Sequence, residues 1–136
     1  EFLEKYPEKD ICGIYAQRIF EHIPIDRIHY LLYLLYSVSK PGAALYITVP
    51  DFEKVMKKVT LMDAEKQTAQ QFSRDLICVT TEMFNKPSDP HRSVWTTNLA
   101  KYYVELEKYW KISQIQYVSL DGRDWYMQIE AHKINN

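Results

Sequence analysis

From Asp10 onward the apolar positions fall into blocks of different spacing. Asp10 to Ala16 (DICGIYA) is a short run in which Ile11, Cys12, Ile14 and Tyr15 do not alternate strictly with polar residues. Such a run predicts a strand buried on both faces of a parallel sheet. Gln17 to Ile25 follows as a loop, with Pro24 barring a helix through it. Asp26 is placed to cap a helix over Arg27 to Ser39, in which Ile28, Leu31, Leu32, Leu35 and Val38 share one stripe. Tyr30, Tyr33 and Tyr36 form a second stripe, read as packing against the sheet rather than as a ligand box. Lys40-Pro41-Gly42 ends that helix. Ala44 to Val49 (ALYITV) is the next strand, and Asp51 caps a helix over Phe52 to Val59.

The order strand, helix, strand, helix predicts a βαβ unit over a parallel sheet. Met62 to Phe84 reads as one or two further helices, with Leu61, Phe72, Leu76, Val79 and Met83 as core positions. Asn85 to Val94 is a loop with two prolines, and Thr96 or Thr97 caps a helix to about Tyr109. Its apolar set is Leu99, Tyr103, Leu106 and Trp110. The period then changes. Lys111 to Leu120 and Trp125 to Lys133 are strands joined at Asp121-Gly122, and the second alternates Trp125, Met127, Ile129 and Ala131 with polar or amphipathic neighbours. This is the pattern of an antiparallel hairpin. The fold class is therefore α/β, a single domain over 1–136 with a mixed sheet.

Composition narrows the function classes. Lys+Arg of 17 against Asp+Glu of 18 gives a net charge of -1, so no strong field of either sign exists to hold nucleic acid or an anionic membrane. No apolar run reaches the roughly 18–20 residues that span a bilayer. The two cysteines, Cys12 and Cys78, make neither a disulfide framework nor a zinc site. They read as small hydrophobes, and the expected compartment is a reducing cytoplasm. The three glycines, Gly13, Gly42 and Gly122, lie far apart. No glycine-rich loop is therefore present to cradle a nucleotide phosphate or a similar ligand. The chain opens at Glu1 with neither Met nor a signal peptide, which leads us to expect a piece of something longer.

Specific residues carry a family resemblance. Phe20-Glu21-His22-Ile23-Pro24, then a helix, then Val38-Ser39-Lys40-Pro41-Gly42-Ala43, then a strand ending at Val49-Pro50-Asp51, resemble the second half of class I S-adenosylmethionine-dependent methyltransferases of the type 11-like group. The family's second turn glycine is Ala43 here, and its usual Leu before the Lys is Ser39. Asp89-Pro90-His91, Trp95 and Asp121-Gly122-Arg123-Asp124 fit the group less specifically. The resemblance implies a partial Rossmann-like methyltransferase fold, its sheet formed by strands 4, 5, 7 and 6 of the family. The strands that carry the glycine-rich loop would precede Glu1.

The resemblance also implies roles. Ala16, Gln17, Arg18 and Glu21 would line the methionine end of S-adenosylmethionine. His22 is the candidate general base, imidazole titrating near neutral pH. Asp51, His91 and Trp95 would face an unidentified methyl acceptor. Each residue has a plainer reading. Glu21 and His22 would brace their loop, Asp51 would only cap a helix, and Trp95 would close the core edge. A metal trio of His22, His91 and Asp51 lacks short ligand spacing in sequence, so no metal is expected. A metal-dependent hydrolase using His22 and His91 is the poorest reading. An alternative to the enzyme is a non-catalytic interaction module. In either case the strand at Ile11 to Tyr15 would be a sheet edge, and a homo-oligomer through that edge is expected.

Overall fold

A computed structural model of the chain describes residues 10–60 and 91–134. Four strands form one sheet in the order β1-β2-β4-β3. They are β1 (Ile11–Gln17), β2 (Ser39–Pro50), β3 (Trp110–Leu120) and β4 (Arg123–Lys133). Among the described residues three α-helices accompany them: α1 (Ile25–Val38), α2 (Phe52–Thr60) and α3 (Thr97–Glu105). β1 runs parallel to β2, with Gly13 opposite Ala44 and Gln17 opposite Thr48. β4 runs antiparallel to β2, from Ala44 opposite His132 to Pro50 opposite Tyr126. The mixed sheet and its hairpin are as the periodicity predicts. The further helices expected over Met62 to Phe84 lie outside the described residues.

The core lies against β2 and β4. Leu45, Ile47 and Val49 of β2 and Met127, Ile129 and Ala131 of β4 are fully buried. Ile28, Leu32 and Leu35 of α1 and Ala100, Tyr103 and Val104 of α3 pack into the same cluster. A smaller cluster joins Val55 of α2 to Trp125 and Tyr126. Burying each large aliphatic side chain contributes about 1.5–3 kcal/mol. The alternate positions of the sheet are polar: Gln116 donates to Gln128 at 3.4 Å, and Gln114 donates to Gln116 at 3.0 Å.

Several local expectations are corrected. β1 is not buried on both faces: Ala16 is buried, but Tyr15 is 59% exposed and Cys12 is exposed. Among the described residues it lies at the edge of the sheet, with a neighbour on one side only. Asp26 does not cap α1. The helix starts at Ile25 with Pro24 as N-cap, and Asp26 sits in the first turn, where its charge favours the helix dipole. Lys40-Pro41-Gly42 belongs to β2 and bulges from it, between the pairs Ile11–Ser39 and Gly13–Ala44. Pro41 has no N–H for the ladder, and Gly42 takes φ +76°, so the irregularity falls where these residues tolerate it. Tyr30 and Tyr33 are 46% and 45% exposed; Tyr33 and Tyr36 meet Tyr109 at tilted angles, and of the three Tyr36 packs on the core and lies against Lys133 of β4.

α3 is capped by Thr96, whose Oγ1 accepts from Leu99 N at 3.1 Å. It ends at Glu105, short of the expected Tyr109. Lys108 at φ 59° reverses the chain, so Leu106 is 44% exposed and Trp110 opens β3 instead. The buried Trp110 indole donates to Leu32 O at 3.0 Å. Asp121 (φ 52°) and Gly122 (φ 75°) both lie in the left-handed region, as a two-residue hairpin turn requires.

Lys133 was not singled out by the sequence pattern. It is 7% exposed, and its Nζ donates to Tyr36 O at 2.9 Å and Ser39 O at 2.7 Å. The last strand thus satisfies carbonyls at the end of α1, the end that favours a cation. Lys133→Ala should lower the unfolding free energy by about 2–3 kcal/mol, since hydrogen bonds to a charged group are the stronger kind. Urea denaturation checks this, and a loss below about 0.5 kcal/mol would show that the carbonyls are met in another way.

Candidate functional site

β1 delivers its chain to the carboxyl end of the sheet. Ala16 faces the core and Gln17 is exposed. Arg18, at φ 55°, extends the ladder by donating its N–H to Thr48 O at 2.8 Å. Its guanidinium pairs with Asp121 in the hairpin turn. The backbone then tightens into one 3-10 turn, Phe20–His22, before Pro24 starts α1. That turn divides three neighbours: Phe20 enters the core at 1% exposure, Glu21 is 2% exposed, and the His22 side chain is 22% exposed.

A second segment is laced onto this turn. Arg92 N and Ser93 N both donate to Glu21 O, at 2.7 and 3.1 Å. Ser93 Oγ donates to Phe20 O at 3.1 Å and accepts from Trp95 Nε1 at 2.9 Å. Trp95, 1% exposed, meets Phe20 and Tyr103 edge-on, at 5.9 and 4.9 Å between ring centroids. These contacts hold His91 beside His22, their rings perpendicular at 86° and 4.6 Å apart. His22 Nε2 lies 3.4 Å from Glu21 Oε1. One donor atom from each of Glu21, His22 and His91 falls within 4.8 Å of the others.

Asp51 stands apart from this cluster. It is 2% exposed, Oδ1 accepts from Glu53 N at 3.0 Å, and Oδ2 accepts from the Tyr117 hydroxyl at 2.7 Å. The first contact is the helix cap expected of it. Tyr117 is a partner that sequence reasoning missed; the signal was a tyrosine in a strand whose neighbours are mostly polar. Lys54 Nζ sits 4.1 Å from the centre of its ring. Phe52 N donates to Trp95 O at 2.8 Å, so the same loop is also fastened to the end of β2. Among the expected site residues the structure therefore gathers Glu21, His22 and His91. It places Trp95 and Ala16 in the core and Arg18 on the hairpin turn. An open cavity of about 320 Å³ runs along α3 and β3, lined by Thr97, Lys101, residues 112–115 and Tyr117; none of the expected site residues lines it. No helix among the described residues is long and apolar enough to cross a membrane.

No family model matches the sequence, and no curated protein matches it. Solved structures do. A SAM-dependent methyltransferase from Methanosarcina mazei superposes with a TM-score of 0.60 at 15% identity, over 100% of this chain and 66% of that one. A mycolic acid cyclopropane synthase complexed with SAH and CTAB gives 0.60 at 11% identity, over 96% of this chain and 58% of that one. Magnesium protoporphyrin IX methyltransferase from Synechocystis, with bound SAH, gives 0.54 at 10%, over 97% and 48%. Three further matching structures are covered over 34 to 51% of their length. The fold is that of a class I SAM-dependent methyltransferase, in part. The order β1-β2-β4-β3 corresponds to strands 4, 5, 7 and 6 of that methyltransferase fold. In open α/β sheets, ligands sit outside the carboxyl ends of the strands. The turn with Glu21 and His22 follows the end of β1, and Asp51 follows the end of β2.

The Asp51–Tyr117 contact has a pH signature. The hydrogen bond to Asp51, then burial, push the Tyr117 phenol up to about 12. The folded value lies above the ordinary value of about 10. The contribution to stability is therefore complete below about pH 10 and is lost as pH climbs towards 12. Burial pushes the Tyr103 phenol up as well, so ultraviolet titration should find a late-ionising component that Tyr117→Phe reduces by one phenol without abolishing. The same variant should cost about 1 kcal/mol at neutral pH.

Proposed function

We propose that this chain is the acceptor-side half of an S-adenosylmethionine-dependent methyltransferase. The reading rests on one observation: a methyltransferase sheet order in which Glu21, His22 and His91 converge just beyond the carboxyl end of β1. The donor's fit is partial. Gly13 lies inside β1, Gly42 in the β2 bulge and Gly122 in the hairpin turn, so no cradle for the nucleoside is built from them. On this reading Ala16, Gln17, Arg18 and Glu21 would line the methionine end only. When bound, S-adenosylmethionine supplies a methyl group on a sulfonium with a neutral thioether as leaving group.

The chain's own residues then act on the acceptor. A nucleophile held in line with the methyl carbon needs little besides alignment. Where that nucleophile carries a proton, neutral His22 takes it, and the neighbouring buried Glu21 carboxylate stabilises the imidazolium that forms. His91 limits the acceptor from the other side. Trp95 and Asp51 act here by holding the two loops in place. The compartment on this reading is the cytoplasm.

A second reading has its own support. Among the described residues β1 is a sheet edge, apolar in sequence, with Tyr15 59% exposed and neither Lys nor Pro within it. Such an edge pairs readily with another strand. On this reading the chain is an interaction module that forms a homodimer by antiparallel pairing of Ile11 to Tyr15.

Two measurements separate these readings. Calorimetry should find no micromolar binding of S-adenosylmethionine by residues 1–136 alone. Binding should arise when a glycine-rich β-loop-α segment of a methyltransferase is supplied in front of Glu1. Micromolar binding by the chain alone overturns the half-enzyme reading, and no binding in either case overturns the methyltransferase. Light scattering should give twice the mass of one chain for the module, returning to one chain in Tyr15→Lys; a single-chain mass for the parent protein rules out the dimer.

A further inference from the structure

We infer that Glu21, His22 and His91 bind one divalent transition-metal ion of the zinc type. This goes beyond the methyl-transfer reading and does not depend on it; an ion here takes His22 and Glu21 as ligands, so the proton-accepting role given to His22 belongs to the ion-free site. The donor chemistry is the first support: two imidazoles and one carboxylate make a set suited to zinc and to first-row neighbours such as cobalt. The second is convergence, with all three donor atoms within 4.8 Å of one another. Ligands at about 2.0–2.2 Å from one ion lie about 3.0–3.5 Å apart, so small side-chain rotations close the site.

The third support is that the backbone holds the site together. Glu21 and His22 share one tight turn, while His91 belongs to a segment far along the chain. Yet Arg92 N and Ser93 N both bind Glu21 O, and Ser93 Oγ binds Phe20 O. Burial is the fourth. A carboxylate side chain 2% exposed has lost its hydration, and a cation bound by it offsets that cost. The adjoining His22 side chain keeps 22% exposure, so solvent reaches one side of the cluster. Three protein ligands among the described residues, with solvent on one side, fit the catalytic rather than the structural pattern of zinc sites. The open position would take water or an oxygen atom of an acceptor. Asp51, weighed from sequence as the third ligand, is replaced in that role by Glu21.

The chain holds four histidines, so the other two serve as internal controls. The intact chain, stripped with a chelator, is titrated with Zn²⁺ by calorimetry and with Co²⁺ by visible absorption. One ion per chain is expected. His22→Ala and His91→Ala should each weaken binding at least tenfold, because even removing groups that only orient metal ligands costs about that much. His29→Ala, His132→Ala and Cys12→Ser should leave it within about twofold. Glu21→Gln should shift the Co²⁺ spectrum, and circular dichroism of every variant confirms that it is folded. Saturable binding untouched by both His22→Ala and His91→Ala, or binding no tighter than millimolar, overturns the site. A failure here leaves the methyltransferase test above unaffected, since that test reads S-adenosylmethionine alone.

Discussion

The two-sided pairing of β2 is the constraint from which the rest of the molecule follows. From Ala44 to Thr48 this strand has β1 on one side and β4 on the other. Its Leu45, Ile47 and Val49 are wholly buried on one face. Because side chains alternate along a strand, a slip of one residue would turn all three outward. The face they create decides where α1 and α3 rest. The direction of β2 decides which end of the sheet receives the loops after β1 and β2. Both loops emerge on the same side because the two strands are parallel, and that brings the chemistry together.

The turn at Phe20–His22 shows how a site is built from packing outward. Phe20 is fixed by Trp95, and Trp95 by Tyr103 and Ser93. With those rings in place, the polar neighbours have little freedom. Glu21 is turned inward, and His22 is set against the ring of His91. The aromatic core thus positions groups that it does not itself use. That is why a tryptophan first weighed as an acceptor contact matters more as a fastening.

The fold was largely legible because its signals are local. A period of two in Trp125 to Ala131, an Asp-Gly turn and an apolar stripe from Ile28 to Val38 need no knowledge of distant residues. The misread positions are those where a distant residue decides. Tyr15 is exposed where, among the described residues, no element lies beyond β1, although its own sequence suits burial. α3 stops at Glu105 because Trp110 is drawn beneath α1, so the helical spacing of Leu106 and Trp110 is overruled. Resemblance named Glu21, His22 and His91 one by one, and the structure shows that they lie together. The hydrogen bond from Ser93 to Phe20 joins residues 73 apart in sequence. No spacing rule connects Glu21 to His91, and the tyrosine that meets Asp51 lies 66 residues from it.

The hairpin turn at Asp121-Gly122 bears on the time course of self-assembly. Its two left-handed residues match the natural twist of paired strands, so β3 and β4 are able to associate within microseconds. The pairing of Ala44 with His132 must close a far longer loop before any contact offsets the lost chain entropy. The ribbon of β3 and β4 is therefore a ready-made template, and its joining to β2, which closes a longer loop than the pairing of β1 with β2, is the slower event.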